Sequence, residues 1–261
     1  MSADAVVPPA TAADRLLVAL DVETLGEAEA LLDRLRGVVT GCKVGSQLFT
    51  AAGPAAVELA RKRDFRVFLD LKFHDIPNTV AGAVREATRL GVFMLTIHAG
   101  GGVAMMRAAA ESARKAAADF KVPRPLVIGV TVLTSLDRRA LQVEVGVPST
   151  VERHVVHLAD RAREAGLDGC VASPQETRLL RLAMGPRWVI VTPGIRIPDR
   201  EAPTRPPGPP TSAGDDQVRI ATPAAAVAAG ADYLVVGRPI TQAPDPTAAA
   251  AAILADLTTA S

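Results

Sequence analysis

Short apolar runs rich in Val, Ile and Leu alternate along the chain with longer Ala-, Leu-, Arg- and Glu-rich stretches whose apolar residues recur at helical spacing. The short runs are typical of buried β-strands, and the long stretches are typical of amphipathic helices. The pattern predicts eight strands, at residues 16–21, 42–45, 66–72, 94–98, 126–131, 169–172, 188–192 and 233–237. It also predicts eight helices, near residues 24–36, 54–62, 78–90, 102–118, 151–165, 175–183, 222–229 and 245–258.

Eight strand–helix units in 261 residues are the number that a (β/α)8 barrel, or TIM barrel, requires. The sequence therefore predicts a single α/β domain with this fold. A doubly wound open sheet is the alternative, but it needs fewer strands or a longer chain. The first predicted strand is also not followed by the G-x-G-x-x-G sequence of dinucleotide-binding sheets, which argues further against that alternative.

Two segments fall outside the alternation. Residues 1–14 are predicted to be a flexible amino-terminal extension of a barrel that spans residues 15–261. Residues 195–216 contain six prolines and show no apolar periodicity. A linker between two domains is one interpretation, but too little chain follows it for a second domain. Because this segment follows the seventh strand, on the face where barrel enzymes bind their substrates, we interpret it as a lid.

The composition narrows the classes of partner that the protein is expected to bind and the compartment in which it is expected to occur. The chain has 29 Lys and Arg against 28 Asp and Glu, and this near-neutral balance predicts neither a nucleic-acid nor a membrane partner. Residues 1–15 lack the apolar core of a signal peptide, and no apolar run approaches the roughly 18 residues of a membrane-spanning helix. The two cysteines, Cys42 and Cys170, are too few for a disulfide framework, so we expect a cytoplasmic protein.

Charged residues occupy positions of the third predicted strand that should face the barrel interior. Phe68, Asp70 and Lys72 share one parity of this strand, and the apolar residues between them share the other. Opposite charges on an inward face are costly to bury unless they are paired, so a structural ion pair is one explanation. Catalysis is the other, because both charges lie at the carboxyl end of the strand, where barrel enzymes keep their reactive groups.

The two preceding strands favour the catalytic explanation. Asp21 ends the first predicted strand, and Lys43 lies in the second with a glycine on either side of it on the same face. The carboxyl ends of successive barrel strands meet at one mouth. The sequence therefore predicts that Asp21, Lys43, Asp70 and Lys72 converge there with alternating charge.

A second group of polar residues is associated with the last two strands. Arg196 follows the seventh strand, and Gln217 closes the Pro-rich segment. Gly237 and Arg238 come at the end of the eighth strand. The loops after strands seven and eight hold the phosphate site of many barrels, where arginine and backbone N–H groups bind the phosphate oxygens. We therefore predict a phosphate site here, and a surface arginine that caps a helix is the alternative for Arg238.

The histidines give weaker signals. His98 ends the fourth predicted strand, where its position is equally compatible with lining the pocket and with a structural hydrogen bond. His154 and His157 have a spacing that metal ligands on a helix also show, but they fall on the polar flank of their helix. We therefore predict no metal site.

The ten residues 70–79, DLKFHDIPNT, resemble the signature of the bacterial orotidine 5′-monophosphate decarboxylase family. The resemblance runs through nearly the whole chain and includes LDV at Asp21, KVG at Lys43, TIHAGGG from Thr96, TVLTS with Thr134, TPGIR with Arg196, DDQVR with Gln217, and VVGRPIT with Gly237 and Arg238. The shorter D-x-K-x-x-D pattern within the signature is less specific, because related sugar-phosphate decarboxylases and aldolases share it.

The resemblance implies a cofactor-free decarboxylation that yields uridine 5′-monophosphate. Lys72 would donate a proton to C6 of the pyrimidine after carbon dioxide leaves. Asp70 would lie close to the substrate carboxylate, disfavour its charge and orient Lys72. Asp21 and Lys43 would hold ribose hydroxyls and Asp70, and Thr134 would contact the substrate near the base.

The same resemblance implies a homodimer whose active sites lie at the interface. Asp75, Ile76 and Thr79 would reach into the partner's site, where Asp75 would complete an Asp-Lys-Asp array and touch the ribose. The phosphate would be bound by Arg196, Gln217, Gly237 and Arg238. The chain departs from the family pattern in its lid, because the twenty residues between Arg196 and Gln217 are more than is usual.

Two other functions are alternatives to this decarboxylation. The D-x-K-x-x-D pattern also fits a sugar-phosphate decarboxylase or aldol-type lyase, which typically depends on magnesium, but the HDIPNT extension and the DDQ sequence argue against it. A barrel that binds nucleotides without turnover is the second, and the intact Lys72, Asp70 and Asp75 argue against it.

Overall fold

The computed structural model describes residues 9–196 and 221–259, with side chains as far as residue 258, and its eight parallel strands form a closed barrel. Each strand pairs with the next one along the chain, and the eighth pairs with the first. The strands are β1 (Leu16–Ala19), β2 (Gly41–Gly45), β3 (Arg66–Phe73), β4 (Met94–His98), β5 (Leu126–Val130), β6 (Gly169–Val171), β7 (Val189–Thr192) and β8 (Tyr233–Val236). The predicted (β/α)8 barrel is therefore confirmed.

The helices surround the barrel, and every helix that the sequence predicts is present. They are α1 (Ala12–Arg15), α2 (Leu25–Leu35), α3 (Ser46–Ala52), α4 (Ala55–Arg61), α5 (Pro77–Arg89), α6 (Gly102–Phe120), α7 (Val151–Glu164), α8 (Pro174–Met184), α9 (Pro223–Ala228), α10 (Arg238–Thr241) and α11 (Pro246–Thr259). The sequence does not predict α1, α3 and α10. These short helices adjoin β1, β2 and the end of β8, so no apolar period separates them from the neighbouring strand. Within the part of the chain described, no helix has the length and apolarity needed to cross a membrane.

Helix α1 lies at the boundary between the predicted extension and the barrel. Thr11 caps it by accepting a hydrogen bond from the amide of Asp14, and the Asp14 carboxylate bonds back to the Thr11 amide. Arg66, at the start of β3, donates to the Asp14 carbonyl at 3.0 Å and to the Asp14 carboxylate at 3.2 Å. These bonds attach the end of the extension to the barrel, and residues 1–8 lie outside the described residues.

Apolar side chains fill the barrel interior up to the point where the charges of β3 begin. The interior cluster consists of Leu17, Ala19, Phe68, Met94, Ile128, Val189, Val191, Tyr233 and Val235. Val67 and Leu69 pack in the separate layer between strands and helices, as the parity of β3 predicts. Burial of each large side chain contributes about 1.5–3 kcal/mol. Because Phe68 is buried on the face that Asp70 and Lys72 share, the apolar interior supports the charged groups from beneath.

Candidate active site

Four charged side chains meet at the carboxyl ends of β1, β2 and β3. Lys43 Nζ lies 3.0 Å from Asp21 Oδ1 and 3.7 Å from Asp70 Oδ2. Lys72 Nζ donates to the same oxygen of Asp70 at 2.9 Å. The side chains therefore form a continuous chain of alternating charge, Asp21–Lys43–Asp70–Lys72, which we call the charge array. The structure thus brings together the four residues that the strand ends led us to expect.

The middle of the charge array is buried and its two ends are more accessible. Lys43 and Asp70 are each 8% exposed, whereas the side chains of Asp21 and Lys72 are 52% and 35% exposed. Gly45 permits this packing, because a Cβ at that position would lie 2.8 Å from Lys43 Nζ and 3.2 Å from Asp21 Oδ1. Charges at this depth are tolerated because each one has a partner of opposite sign.

Asp70 keeps its charge inside the barrel. Burial by itself raises the pKa of this carboxyl group. The charges of Lys43 and Lys72 oppose that effect, as do hydrogen bonds from Lys72 and Thr96, and the net result is that the pKa of Asp70 lies below its ordinary value. Asp70 is therefore a carboxylate at neutral pH, so a negative charge stands next to the Lys72 ammonium.

An irregularity in the pairing of β3 with β4 places Lys72. Between the regular pairs Leu69–Leu95 and Phe73–Ile97, three residues of β3 lie opposite Thr96 alone. In this bulge Lys72 adopts a left-handed backbone, with a φ of +52°. Residues with side chains rarely occupy this region, and they persist there only where the surrounding structure holds them.

Thr96 contributes to the site and was not among the predicted site residues. Its hydroxyl accepts a hydrogen bond from the Lys72 amide at 2.9 Å and donates one to Asp70 Oδ1 at 2.9 Å. The side chain is fully buried. The sequence signal that could have found it is parity, since Thr96 lies two residues after the interior residue Met94 and is polar where the barrel is otherwise apolar.

The charge array lines a cavity of about 620 Å³ at the carboxyl ends of the strands. Arg196, after β7, and Arg238, after β8, line the same cavity, together with Gly237 and with Thr134 from the segment after β5. Gly194 and Gln242 are among the lining residues that were not predicted as site residues. This volume is typical of sites for small organic ligands. The lining combines a chain of paired charges with two guanidinium groups, a set that suits a polar ligand carrying an anionic group.

Residues 14–253 match the family model described as the orotidine 5′-phosphate decarboxylase / HUMPS family. The chain belongs to this family. The orotidine 5′-phosphate decarboxylase of Moorella thermoacetica is 56% identical over 246 residues, which cover 94% of this chain and 93% of that protein. The enzyme of the same name from Chromobacterium violaceum is 49% identical over 242 residues, covering 93% and 91% of the two chains. The resemblance noted in the sequence motifs is thereby confirmed.

Solved structures agree with this family assignment. The crystal structure of orotidine 5′-phosphate decarboxylase from Lactobacillus acidophilus superimposes on this chain with a TM-score of 0.77 and 33% sequence identity. The superposition covers 93% of this chain and 98% of that one. The family fold is therefore present over nearly the whole chain.

Three of the family-derived site residues stand apart from the cavity within one chain. Asp75, Ile76 and Thr79, at the start of α5 and just before it, are exposed and are not among the lining residues. Asp75 Oδ1 accepts a hydrogen bond from the amide of Ile76 at 2.6 Å. Gln217 and residues 197–216 of the predicted lid lie outside the described residues.

His98 is half-buried next to His74, with the ring centroids 5.3 Å apart. Burial and the neighbouring His74 and Lys72 lower the pKa of His98, although the charge of Asp70 acts in the opposite direction. His98 is therefore neutral at pH 7. Neither histidine is among the described residues that line the cavity, so His98 lies beside the charge array and outside the cavity lining.

Proposed function

We propose that the protein decarboxylates orotidine 5′-monophosphate to uridine 5′-monophosphate, the final step of de novo pyrimidine nucleotide synthesis. The observation that carries the proposal is the charge array, in which one buried carboxylate contacts two ammonium groups in the wall of a cavity that two arginines also line. Family membership supports it, since relatives named for this activity are 49% and 56% identical to the chain.

The arginines of the cavity bind the phosphate of the substrate. Arg196 and Arg238 each offer a planar guanidinium, which forms paired, charge-assisted hydrogen bonds with phosphate oxygens. Gly237 has no side chain, so a phosphate can approach its backbone closely. Gln217 adds an amide from the lid. Because the phosphate is remote from the reacting carbon, its binding energy serves to hold the nucleotide and to close the site.

The charge array and Thr134 bind the nucleoside. Asp21 and Lys43 hold ribose hydroxyls through their carboxylate and ammonium groups, and Lys43 also holds Asp70 in place. Thr134 contacts the substrate near the base. With the phosphate and ribose held, C6 of the pyrimidine is positioned next to Lys72.

The reaction breaks the bond between C6 and the carboxylate carbon. The bonding electron pair stays on C6 as carbon dioxide leaves, and it lies in the plane of the ring, where the π system cannot delocalise it. The Lys72 ammonium stabilises this charge because its attraction strengthens as negative charge develops, and each 1.4 kcal/mol or so gained is a factor of ten in rate. A proton then moves from Lys72 Nζ to C6, and the resulting amine takes up a proton from solvent.

Asp70 acts on both the substrate carboxylate and Lys72 in this step. Its carboxylate lies close to the carboxylate of the bound substrate, and the repulsion between them is relieved when carbon dioxide departs. Its hydrogen bond of 2.9 Å to Lys72 Nζ directs the ammonium toward the ring. No cofactor takes part in this scheme.

The active form in this proposal is a homodimer in the cytoplasm. The segment from the end of β3 to the first turn of α5 projects into solvent and carries Asp75, Ile76 and Thr79. From this position the three side chains are free to enter the cavity of a second subunit. Asp75 would then complete the partner's charge array. The apolar side chain of Ile76 is 67% exposed in the single chain, and an interface would bury it.

Mixing two inactive variants tests this contribution across the interface. If Lys72 acts in its own subunit and Asp75 acts in the other, a dimer of Lys72→Ala with Asp75→Asn has one site that carries both native residues. Random reassociation of equal amounts should therefore restore about a quarter of the wild-type activity. No recovery, with mixed dimers shown to form, would place Asp75 in its own subunit's site.

Turnover of the nucleotide itself tests the proposed reaction. The purified protein is mixed with orotidine 5′-monophosphate in buffer that contains a metal chelator, and the fall in ultraviolet absorbance is followed. Orotidine without its phosphate serves as the control and should react much more slowly. Turnover only after magnesium is restored, with sugar phosphates as substrates, would assign the chain to the sugar-phosphate lyases. Nucleotide binding without absorbance loss would indicate a non-catalytic barrel.

A further inference from the structure

We infer that Thr96 is a positioning residue of this site, whose hydroxyl sets the distance and direction between Asp70 and Lys72 by bonding to both of them. The inference rests on the proposed decarboxylation, for which these two residues act as a unit. Thr96 lies on β4, behind the residues that line the cavity, so it acts through its neighbours and not on the substrate.

The first argument concerns the backbone of Lys72. In a regular sheet of parallel strands, each strand amide donates to a backbone carbonyl of one of the two neighbouring strands. Because three residues of β3 lie opposite Thr96, the Lys72 amide instead donates to the Thr96 hydroxyl at 2.9 Å. This bond anchors the residue whose φ is +52°, a backbone conformation that needs external support. The direction of the Lys72 side chain follows from that conformation.

The second argument concerns the carboxylate of Asp70. Thr96 donates to Oδ1 at 2.9 Å, while the other oxygen, Oδ2, faces Lys72 Nζ at 2.9 Å and Lys43 Nζ at 3.7 Å. A carboxylate that is bound at both oxygens is restrained from rotating about its last torsion. Thr96 therefore keeps Oδ2 directed toward the ammonium groups.

A hydroxyl is the group that this position requires. It donates one hydrogen bond and accepts others, so a single atom serves both the carboxylate and the amide. It carries no charge, and it therefore leaves the alternating charges of the array undisturbed. The side chain is fully buried, which excludes water as a substitute for the lost bonds.

Three variants separate this role from general packing. Thr96→Val keeps the shape and removes the hydroxyl, and Thr96→Ser keeps the hydroxyl and removes the methyl group. Thr88→Val is the matched control, because Thr88 is also fully buried and its hydroxyl donates to the Val84 carbonyl inside α5, at 2.8 Å. Thr96→Ala, which also lacks the hydroxyl, replaces the valine variant if that variant does not fold.

The kinetic result expected is a loss of turnover without a matching loss of binding. We expect kcat of Thr96→Val to fall by about 10- to 100-fold, since small misplacements of a catalytic group have effects of this size. The dissociation constant of uridine 5′-monophosphate should change by less than about threefold, because the phosphate and ribose contacts are intact. Thr88→Val should retain wild-type kcat, and Thr96→Ser should restore most of the kcat that the valine variant loses. A kcat of Thr96→Val within twofold of wild type, or a serine variant as slow as the valine variant, would overturn the inference.

Two further readouts need no turnover. Hydrogen exchange of the Lys72 amide should accelerate in Thr96→Val and stay slow in Thr88→Val, because only the first variant removes its acceptor. The pKa of Asp70, followed by carbon-13 NMR of its carboxyl group, should rise in Thr96→Val, because a hydrogen bond to the charged form is lost. The other groups that set this pKa, Lys43 on β2 and Lys72 on β3, remain in place, as does His98 beside Thr96 on β4.

These readouts also distinguish failure of the inference from failure of the proposed reaction. A wild-type protein that does not convert orotidine 5′-monophosphate would contradict the proposed function, while the amide exchange and the Asp70 titration would still decide the role of Thr96. An unchanged exchange rate and an unchanged Asp70 pKa in the valine variant would contradict the inference even if the wild-type enzyme were active.

Discussion

At the amino-terminal ends of the barrel strands the buried charges form closed pairs, whereas at the carboxyl ends they form an open chain. Before β5 and β6, Arg124 and Asp168 share two hydrogen bonds of 2.9 Å, and Asp168 also accepts from the amide of Val127. Before β8, Asp232 accepts from Arg181 at 2.7 Å. Arg181 donates in addition to three backbone carbonyls, those of Gly185, Trp188 and Gly230.

The charge array at the opposite end leaves bonding capacity unused. Within residues 9–196 and 221–259, the Lys72 ammonium hydrogen-bonds to Asp70 alone, although it has three N–H donors. Asp70 in turn is shared by two lysines, and Asp21 at the other end is half exposed. Lys72 and Asp21 both line the cavity, so a ligand can complete the bonding that the protein leaves open.

The difference shows how one fold uses buried charge for two purposes. A closed pair with backbone partners recovers much of the cost of desolvation within the protein, so it stabilises the fold. An open chain of charges recovers less of the desolvation cost until a substrate binds. The charges then interact with the substrate, and this interaction is available to the reaction. Removing a charge at the carboxyl ends should therefore affect turnover, and removing one at the amino-terminal ends should affect stability.

The largest effect among the graded variants is expected for Asp70→Asn. Asparagine keeps the shape of the side chain but removes the charge that, in the proposed reaction, repels the substrate carboxylate and directs Lys72. We expect kcat to fall by about 1,000-fold, the upper end of what loss of one preorganised electrostatic partner costs. Steady-state decarboxylation kinetics measure this. A fall of less than tenfold would mean that the open chain serves folding, as the closed pairs do.

Asp232→Asn should produce the opposite pattern. Loss of this charge leaves Arg181 without its ionic partner in a mostly buried position, and we expect about 2 to 3 kcal/mol of unfolding free energy to be lost. Urea unfolding measures this change, and kcat should stay within twofold of wild type. Asp64→Asn is the control, because the Asp64–Arg36 pair is largely exposed and its loss should leave stability at the wild-type value. Equal effects of the two variants would contradict the comparison.

Arg238→Ala separates the phosphate contacts from the charge array. The variant loses one guanidinium of the proposed phosphate site, and we expect kcat/KM for orotidine 5′-monophosphate to fall by about 100-fold. The slow reaction of orotidine, which has no phosphate, should be unchanged. If kcat/KM falls by the same factor for both substrates, Arg238 acts on the reacting end of the nucleotide or on the fold.

Gly45→Ala should have the smallest effect of the four. The added methyl group would lie 2.8 Å from Lys43 Nζ, so the lysine has to move away from Asp21 and Asp70. We expect kcat/KM to fall by about tenfold, because the array is displaced but keeps its charges. Gly26→Ala is the matched control, since a Cβ there meets no atom within 4 Å. Wild-type kinetics for Gly45→Ala would show that the packing around Lys43 is loose.

Much of this comparison could be predicted from local patterns in the sequence. Strand and helix periodicity identified the barrel, and the period of two along β3 placed Phe68, Asp70 and Lys72 on its inner face. The convergence of Asp21 and Lys43 with them follows from the rule that strand ends of a barrel share one mouth. These features depend on residues close together in sequence or on a general property of the fold.

The remaining features depend on contacts that no local pattern encodes. Lys72 has a left-handed backbone, a conformation that glycine adopts readily and lysine disfavours. Because no glycine occupies this position of the β3–β4 bulge, the sequence gives no signal of that conformation. The bond from Lys72 to Thr96 joins residues 24 positions apart and involves a side chain that replaces a ladder carbonyl. Helix α10, with four residues, is too short for any period, although it begins with Arg238 of the cavity.

The most direct test of the functional difference between the two ends of the barrel is to measure both the activity and the stability of Lys72→Ala. Its rate of decarboxylation and its melting temperature are compared with those of the wild type and of Lys62→Ala, an exposed lysine on the outer surface. We expect Lys72→Ala to lose turnover by about 10,000-fold or more, because both the charge and the proposed proton donor are removed, while its melting temperature stays at the wild-type value. Turnover within tenfold of wild type, or a fold that collapses without this lysine, would contradict the account.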